Sequence, residues 1–543
     1  MHIWQLLERQ VERTPTRTLL SFQALRQSYA EVLTASLRAA AALDALGVRA
    51  GENVCLMLGN GPDYLYAWLG LARLGAVAVP INVHSRGEGL AYVLAHSQAR
   101  LLIVEPELLG RVEALDPAPP GLRAIARAAG PEGEEPVGAP TFAELRAAAE
   151  PRAPAPSIPS EAVAAILYTS GTTGPPKGVM LSHHAYLSSA RYFAEEMVKA
   201  SADDTLYTTL PLFHINAQAH TALPAIHLGA TMAIGARFSA SGFWDDLRQQ
   251  GATIFNSLAA MIPILCKQPP GPADRDHPAR LTACAATPRD VWREFERRFG
   301  VRIVEGYGLT ETAGFCVANP LEATRVGSIG RPMGFVEARV VDAQGRRLPP
   351  DQTGEIAIRA RAEHVLMEGY YRDPEATARA MRPSGAADRA AEPDAAARDA
   401  GGDWFHSGDA GRADGDGYLY FVDRIKQSIR RRGENISSWE VEKVVNAHPA
   451  VLESAAVGYP SELGEEEVRV FVVAHPSARL DPLELIRWCE ERMAYFMVPR
   501  YVDLCAALPK TATERVEKYR LKAEPRSAAT WDRDEVGYRV RRD

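Results

Sequence analysis

Between Trp4 and Pro106, short β-rich runs alternate with helical ones, and that alternation constrains the fold more than any other feature of this chain. Apolar residues recur at three and four from Trp4 to about Leu46; then come ENVCLMLG, the helical GPDYLYAWLGLARLG and the strand-like ARLLIVEP. Strands separated by helical crossovers pair in parallel, so the pattern predicts α/β layers. The most apolar stretch, YAWLGLARLGAVAVPI from Tyr66, is interrupted by Arg73 and closed by Pro80. It is too short and too broken to span a bilayer, and predicts a buried helix running into a strand. At 543 residues the chain exceeds what one compact core holds, so at least two domains are expected.

Composition marks the boundaries. The Pro/Ala/Glu-rich stretches AAGPEGEEPVGAP and AAAEPRAPAPSIPSE flank a short helical segment near Phe142 and read as surface connection. Residues 383–402 carry no large apolar side chain and are expected to form a flexible surface insertion. After Asp423 the chain becomes strongly charged, RIKQSIRRRGENISSWEVEKVV, and then gives a compact β/α pattern that predicts a separate small domain. A net charge of -7 offers no general attraction to nucleic acid or an anionic membrane, so any anionic ligand must be held by local sites. The six cysteines are scattered without a CxxC pair, as expected of reduced core thiols in a cytoplasmic protein. The first twenty residues interleave Glu and Arg with apolar positions at helical spacing, unlike a signal peptide.

The chemistry begins in ILYTSGTTGPPKGVMLSHH, Ile166 to His184, where a buried strand should end in a loop able to wrap phosphate. Gly171, Gly174 and Gly178 allow close backbone approach, Ser170, Thr172 and Thr173 add hydroxyl donors, and Lys177 adds a charge. It is not a Walker A loop, because Pro176 precedes Lys177 and Gly178 follows it.

Together with LPLFHINAQ, VEGYGLTETAG, WFHSGD, FVDRIKQSIRRRGENISSWEVE and LPKTATERVEKYRL, this loop resembles the signatures of the adenylate-forming superfamily: acyl-CoA synthetases, luciferases and peptide-synthetase adenylation domains. The resemblance runs from about Leu6 to Leu521, and FNSLAAMIPILCKQPP through FERRFGVRIVEGYGLTET is similar to bacterial ligases of the carnitine/crotonobetaine-CoA type. It implies a large N-terminal α/β region of layered subdomains (1–423), a hinge (424–426), a small mobile α+β domain (427–525) and a tail (526–543). The implied substrates are ATP, a small-molecule carboxylic acid and coenzyme A, with Mg²⁺ as metal; a homodimer stays open.

The resemblance also implies roles. Thr169, Ser170, Gly171, Thr172, Thr173, Gly174 and Lys177 would surround phosphate, with Thr310 on the α-phosphate and Glu311 on Mg²⁺. Tyr307 would lie on adenine, with Gly306, Gly308, Ala286 and Thr287 near it, and Asp409 would accept from the ribose hydroxyls with Phe421 and Arg424 beside it. His214 would meet the incoming carboxylate. FNSLAAMIP and the small residues Gly306, Gly308, Ala313 and Gly314 would line the acyl pocket. Lys426 matches the hinge and Gly433 the loop that reaches the thiol, with Arg430, Arg431 and Arg432 near CoA phosphates. The adenine-side loop at Ala285 to Pro288 departs mildly, with alanine where the family usually has Gly, and the clearest departure is Glu514-Arg515 in place of Gly-Lys: Arg515 stands where the family has its adenylating lysine, and keeps the charge with a bulkier, forked donor. Two other readings stay open, an adenylating enzyme serving a carrier protein or another acceptor, and a nucleotide-binding protein weakened in catalysis.

Overall fold

A computed structural model describes residues 1–126, 140–150, 156–169, 175–258, 261–285, 287, 289–383, 402–424, 428–461, 464–476, 478–509, 516 and 518–541. The expected insertion at 383–402 falls almost wholly outside them, as do Lys426, expected at the hinge, and Arg515.

Two sheets carry the large region. In the nine-stranded sheet, six neighbours run parallel: Arg302–Leu309, Leu281–Ala285, Ile254–Leu258, Thr205–Thr208, Thr231–Ile234 and Thr18–Phe22. In the seven-stranded sheet, Val163–Thr169, Val77–Pro80, Asn53–Met57, Leu101–Val104 and Arg123–Ala126 run parallel, and the hairpin partner Lys177–Ser182 runs antiparallel. The alternation thus becomes α/β layers. The segment from Tyr66 forms the expected buried helix, Pro62–Leu74, which ends at a left-handed Gly75 and leads into the strand Val77–Pro80. Tyr64 to Arg73 are all buried in that helix because it packs between the first sheet's helices and the second sheet, and apolar residues all round it are what such a place demands.

An antiparallel sheet of Val336–Val341, Gly354–Ala360, Trp404–Ala413, Met381–Arg382 and Leu419–Arg424 forms a third layer. The small region begins with the hairpin Ser428–Arg431 and Glu434–Ser437 and continues into a four-stranded sheet with its own apolar core around Val470, Ile486 and Val502. Residues past 525, read as a tail, add the strand Trp531–Asp532 to that sheet, and buried Asp532 pairs with Arg500 and Arg526. Among the described residues, no helix is long and apolar enough to cross a membrane.

Candidate active site

In parallel sheets the strand ends carrying the C-terminal residue open onto a crevice, because the crossovers leave the backbone there free to meet a ligand. Here Thr169, Leu258, Ala285 and Leu309, each the last residue of its strand, line one cavity of about 2690 Å³ shared by both parallel sheets and the small region.

The sequence VEGYGLTE places its chemistry by strand alternation. Gly306 and Gly308 flank Tyr307 on the strand Arg302–Leu309, and the turn that follows presents Thr310 and Glu311 to the cavity. The Glu311 carboxylate accepts from the Tyr370 hydroxyl at 2.9 Å. The Lys177 ammonium lies 4.7 Å from the centre of the same tyrosine ring. Tyr370 arrives there because the short strand Gly369–Tyr370 pairs with Lys177–Ser182. Burial, reinforced by the Glu311 charge, pushes the Tyr370 hydroxyl far up, so it stays a donor. Sequence reasoning missed Tyr370, and the proposed metal carboxylate and phosphate-loop lysine meet on it.

Tyr307 is buried, and its hydroxyl donates to Asp409 at 2.7 Å. Asp409 lies in Trp404–Ala413, in register with Arg424 across the strand pair, and the ring of Phe421 is 6.4 Å from that of Tyr307. The loop before Asp409 is pinned by Glu355, which accepts from the Gly408 amide at 2.9 Å and pairs with His406 at 2.7 Å. Burial pushes the Glu355 carboxyl up, but those two contacts outweigh it and hold it below the usual range. Two residues before Tyr307, Glu305 is buried and lines the cavity, and burial pushes its carboxyl up to about 8 against the opposing pull of Thr287.

The opposite wall comes from the small region. His214, at the start of the helical turn Ile215–Ala217, has its Nε2 3.4 Å from the Glu434 carboxylate. Gly433, at φ +83°, passes so close to Leu258 that a Cβ would lie 2.2 Å from a side-chain methyl. Lys443 pairs with Glu88, and Tyr495 packs edge-on against His84 at 4.6 Å. Arg430 and Arg432 line the cavity. Arg431 does not, which corrects the expectation that all three arginines face CoA: it is buried, pairs with Glu467 at 2.6 Å and donates to the Phe496 carbonyl at 2.6 Å. The three arginines lie on a strand and the turn after it, and strand alternation sends the middle one inward.

Ser170, Gly171, Thr172, Thr173, Gly174, Ala286, Lys426 and Arg515 lie outside the described residues, as does the side chain of Arg424. Thr169 pairs directly with Lys177 in the antiparallel pair of Val163–Thr169 and Lys177–Ser182. Lys518, near Arg515 in sequence, is committed to the small region, where it bonds Ser438 and pairs with Glu442.

The comparisons agree with this geometry. The family model described as AMP-binding enzyme matches residues 7–371, and that of the AMP-binding enzyme C-terminal domain matches 440–515. The chain is 34% identical to a crotonobetaine/carnitine-CoA ligase of Salmonella enteritidis over 516 residues, 93% of this chain and 96% of that one. Among solved structures, o-succinylbenzoate CoA synthetase of Bacillus subtilis, bound with a product analogue, superposes with a TM-score of 0.81 at 25% identity, over 96% of this chain and 99% of that one. An anthranilate CoA ligase in complex with anthranoyl-AMP gives 0.71 at 25% identity, over 96% and 97%. With Lys177, Glu311 and Asp409 brought to one cavity, and with both family models matched in order, the chain belongs to the AMP-binding enzyme family of adenylate-forming ligases.

Proposed function

We propose that this cavity runs two half-reactions of an ATP-dependent acyl-CoA synthetase: a carboxylic acid attacks the α-phosphorus of ATP, releasing pyrophosphate, and a thiol then takes the acyl group, releasing AMP. The observation that carries this reading is the convergence of Lys177, Glu311 and Asp409 in one cavity whose far wall is Gly433 and Glu434 of the small region. In the first step two anions must meet, so the barrier is set by how well cations and fixed donors offset their repulsion. Lys177 and the hydroxyl of Thr310 supply charge and a donor at the phosphate end, and Arg515 is the proposed further cation. The Glu311 carboxylate at that end fits Mg²⁺, which binds through one or two carboxylates plus substrate oxygens and would supply charge neutralisation there; Tyr370 holds Glu311 in place.

The base would lie against Tyr307. Glu305, with a carboxyl that keeps its proton near neutrality, can both donate to and accept from the edge of an adenine. Asp409, already accepting from Tyr307, would take the ribose hydroxyls. In the second step the small region supplies the wall of the thiol channel, with Arg430 and Arg432 toward CoA phosphates. The higher TM-score to the product-analogue complex than to the anthranoyl-AMP complex, at equal identity, supports reading this arrangement of the small region as the one used for thioester formation.

The test is acid-dependent ATP/pyrophosphate exchange without CoA, followed by mass-spectrometric detection of acyl-CoA when CoA is added. Exchange without CoA-dependent release would favour another acceptor. Nucleotide binding with no exchange for any acid would leave only a nucleotide-binding protein.

A further inference from the structure

Part of the cavity lining is apolar and includes Leu258, Met261, Ile264 and Phe315. The hydrocarbon part of an acid would partition there, away from the charges of Lys177, Glu311 and Asp409. How long a chain can be taken depends on what stands behind the glycines that line the cavity on the strand Arg302–Leu309 and its antiparallel partner Gly314–Ala318.

That space is filled. A Cβ at Gly306 would lie 2.8 Å from Met197 Cε and 2.9 Å from Cδ1 of the Phe315 ring. At Gly314, where φ is +110°, it would lie 2.4 Å from His220 Nε2. The His220 ring stacks on Phe193 at 4.7 Å and on Phe315 at 4.6 Å, and all four side chains are buried. His220 and Phe315 belong to the cavity lining whereas Phe193 and Met197 do not, so these two form a second layer behind it. A chain running on past Gly306 would have to displace this stack.

The stack is also locked in place. His220 sits on a π-helical turn, Gln218–Ala222, and Phe193 and Met197 begin and end another, Phe193–Met197. Such turns are rare and recur at functional sites. Asn256 donates to the His220 carbonyl at 3.1 Å and to Thr221 at 2.8 Å, and the Phe315 amide donates to the His220 ring at 3.1 Å. Burial pushes the imidazole down to about 3, so the stack is uncharged at neutral pH. Close-packed interiors of this kind yield little to an added group.

The stack is near the reacting end. Phe315 is in register with Gly308, two residues before Thr310. At about 3.3 Å per strand residue, that places the floor about 7 Å along the backbone from the hydroxyl proposed for the α-phosphate, a span that a few methylenes cover.

We propose that Phe193, His220 and Phe315, backed by Met197, form the floor of the acyl site and restrict the enzyme to short-chain carboxylic acids. This inference rests on the acid-activating reading and narrows it.

The experiment uses the full chain with ATP and Mg²⁺ and measures acid-dependent ATP/pyrophosphate exchange for straight-chain saturated acids of increasing length. The wild type should favour an acid of about four carbons over one of about ten by about tenfold or more in kcat/KM, because methylenes forced against a close-packed wall are costly. Phe315→Leu and Met197→Ala each take volume out of the floor from a different element and leave every proposed catalytic group in place. Each should raise the ratio of the longer to the shorter acid by about threefold or more, chiefly through KM. If the wild type activates the longer acid as well as the shorter, the inference fails on the wild type alone, whether or not the variants fold. If the variants lower exchange equally for all lengths, the stack serves packing only and the inference is overturned as well. No exchange with any acid would instead remove the acid-activating reading, and this inference with it.

Discussion

The two ends of the cavity are built by different means. At the proposed nucleotide end the groups described above belong to the large region and sit on or beside a strand: Tyr307 bonded to Asp409, Glu311 to Tyr370, Glu355 to Gly408. At the proposed thiol end the wall forms where two regions meet, and the described contacts include a 3.4 Å approach of His214 to Glu434, the exposed pair Lys443 with Glu88, and Tyr495 against His84. Buried hydrogen bonds between strand-held groups persist whatever the small region does. Exposed ion pairs contribute about 1 kcal/mol or less, so the docked arrangement is held shallowly. An enzyme that must first adenylate and then re-form its second wall needs this asymmetry, because a deeply docked small region could not move between steps.

The comparison breaks first at Glu311. Glu311→Gln removes the carboxylate charge while keeping its shape and a hydrogen-bond partner for Tyr370. Pyrophosphate exchange should fall by about 10²–10³, the cost of losing one preorganised charge-stabilising group. Conversion of supplied acyl-adenylate with CoA should fall far less, and unchanged exchange at limiting Mg²⁺ would end the metal assignment.

Gly433→Val attacks the other end. A side chain there is strained at φ +83° and collides with Leu258, so the small region should no longer seat fully. The CoA step should drop about tenfold or more while exchange stays within about twofold. Equal losses in both would mean that Gly433 serves the fold and not the thiol wall.

How legible these ends were differs in the same way. The α/β layers followed from apolar runs, and Tyr307, Glu311 and Asp409 from motifs in which neighbouring residue types narrow the chemistry. Tyr370 carried no such signal: in EGYY it reads as another core aromatic, and only the pairing of Gly369–Tyr370 with Lys177–Ser182 brings it between Lys177 and Glu311. Glu355 reads as a solvated strand charge until the sheet turns it toward Gly408. The RRR triplet misled for the opposite reason: placed as a whole near CoA phosphates it offered three cations, whereas the strand Ser428–Arg431 buries the middle one against Glu467. His214, expected at the site from its motif, does line the cavity, but its partner Glu434 lies far along the chain and depends on docking.

A smaller effect sharpens the nucleotide end. Tyr370→Phe keeps the ring under Lys177 and deletes only the hydroxyl that holds Glu311. Loss of one hydrogen bond to a charged group costs about 1–2 kcal/mol, so exchange should fall roughly five- to thirtyfold, with a weaker response to Mg²⁺. A variant whose magnesium dependence matches the wild type would mean that Tyr370 only packs against Lys177.

The smallest expected effect is at Glu434, where the two regions touch. Burial pushes its carboxyl up, but His214, with His84 and Arg430 behind it, more than compensates and holds it below its ordinary value of 4.5. A carboxyl held low contributes its stabilisation fully above the unfolded value and loses it as pH falls through the lower folded one. Docking should therefore be insensitive to Glu434 titration at neutral pH and weaken only on the acid side of about 4.5. Glu434→Gln removes the charge at every pH, and with the partner His214 partly exposed the loss should be about 1 kcal/mol or less, a two- to fivefold shift towards the undocked state. Fluorophores on surface sites of the two regions, read by energy transfer from pH 7 down to pH 4, report that shift directly. If Glu434→Gln matches the wild type at pH 7, the contact adds nothing to docking, and the seat of the small region would rest on Tyr495 against His84 and on Lys443 with Glu88.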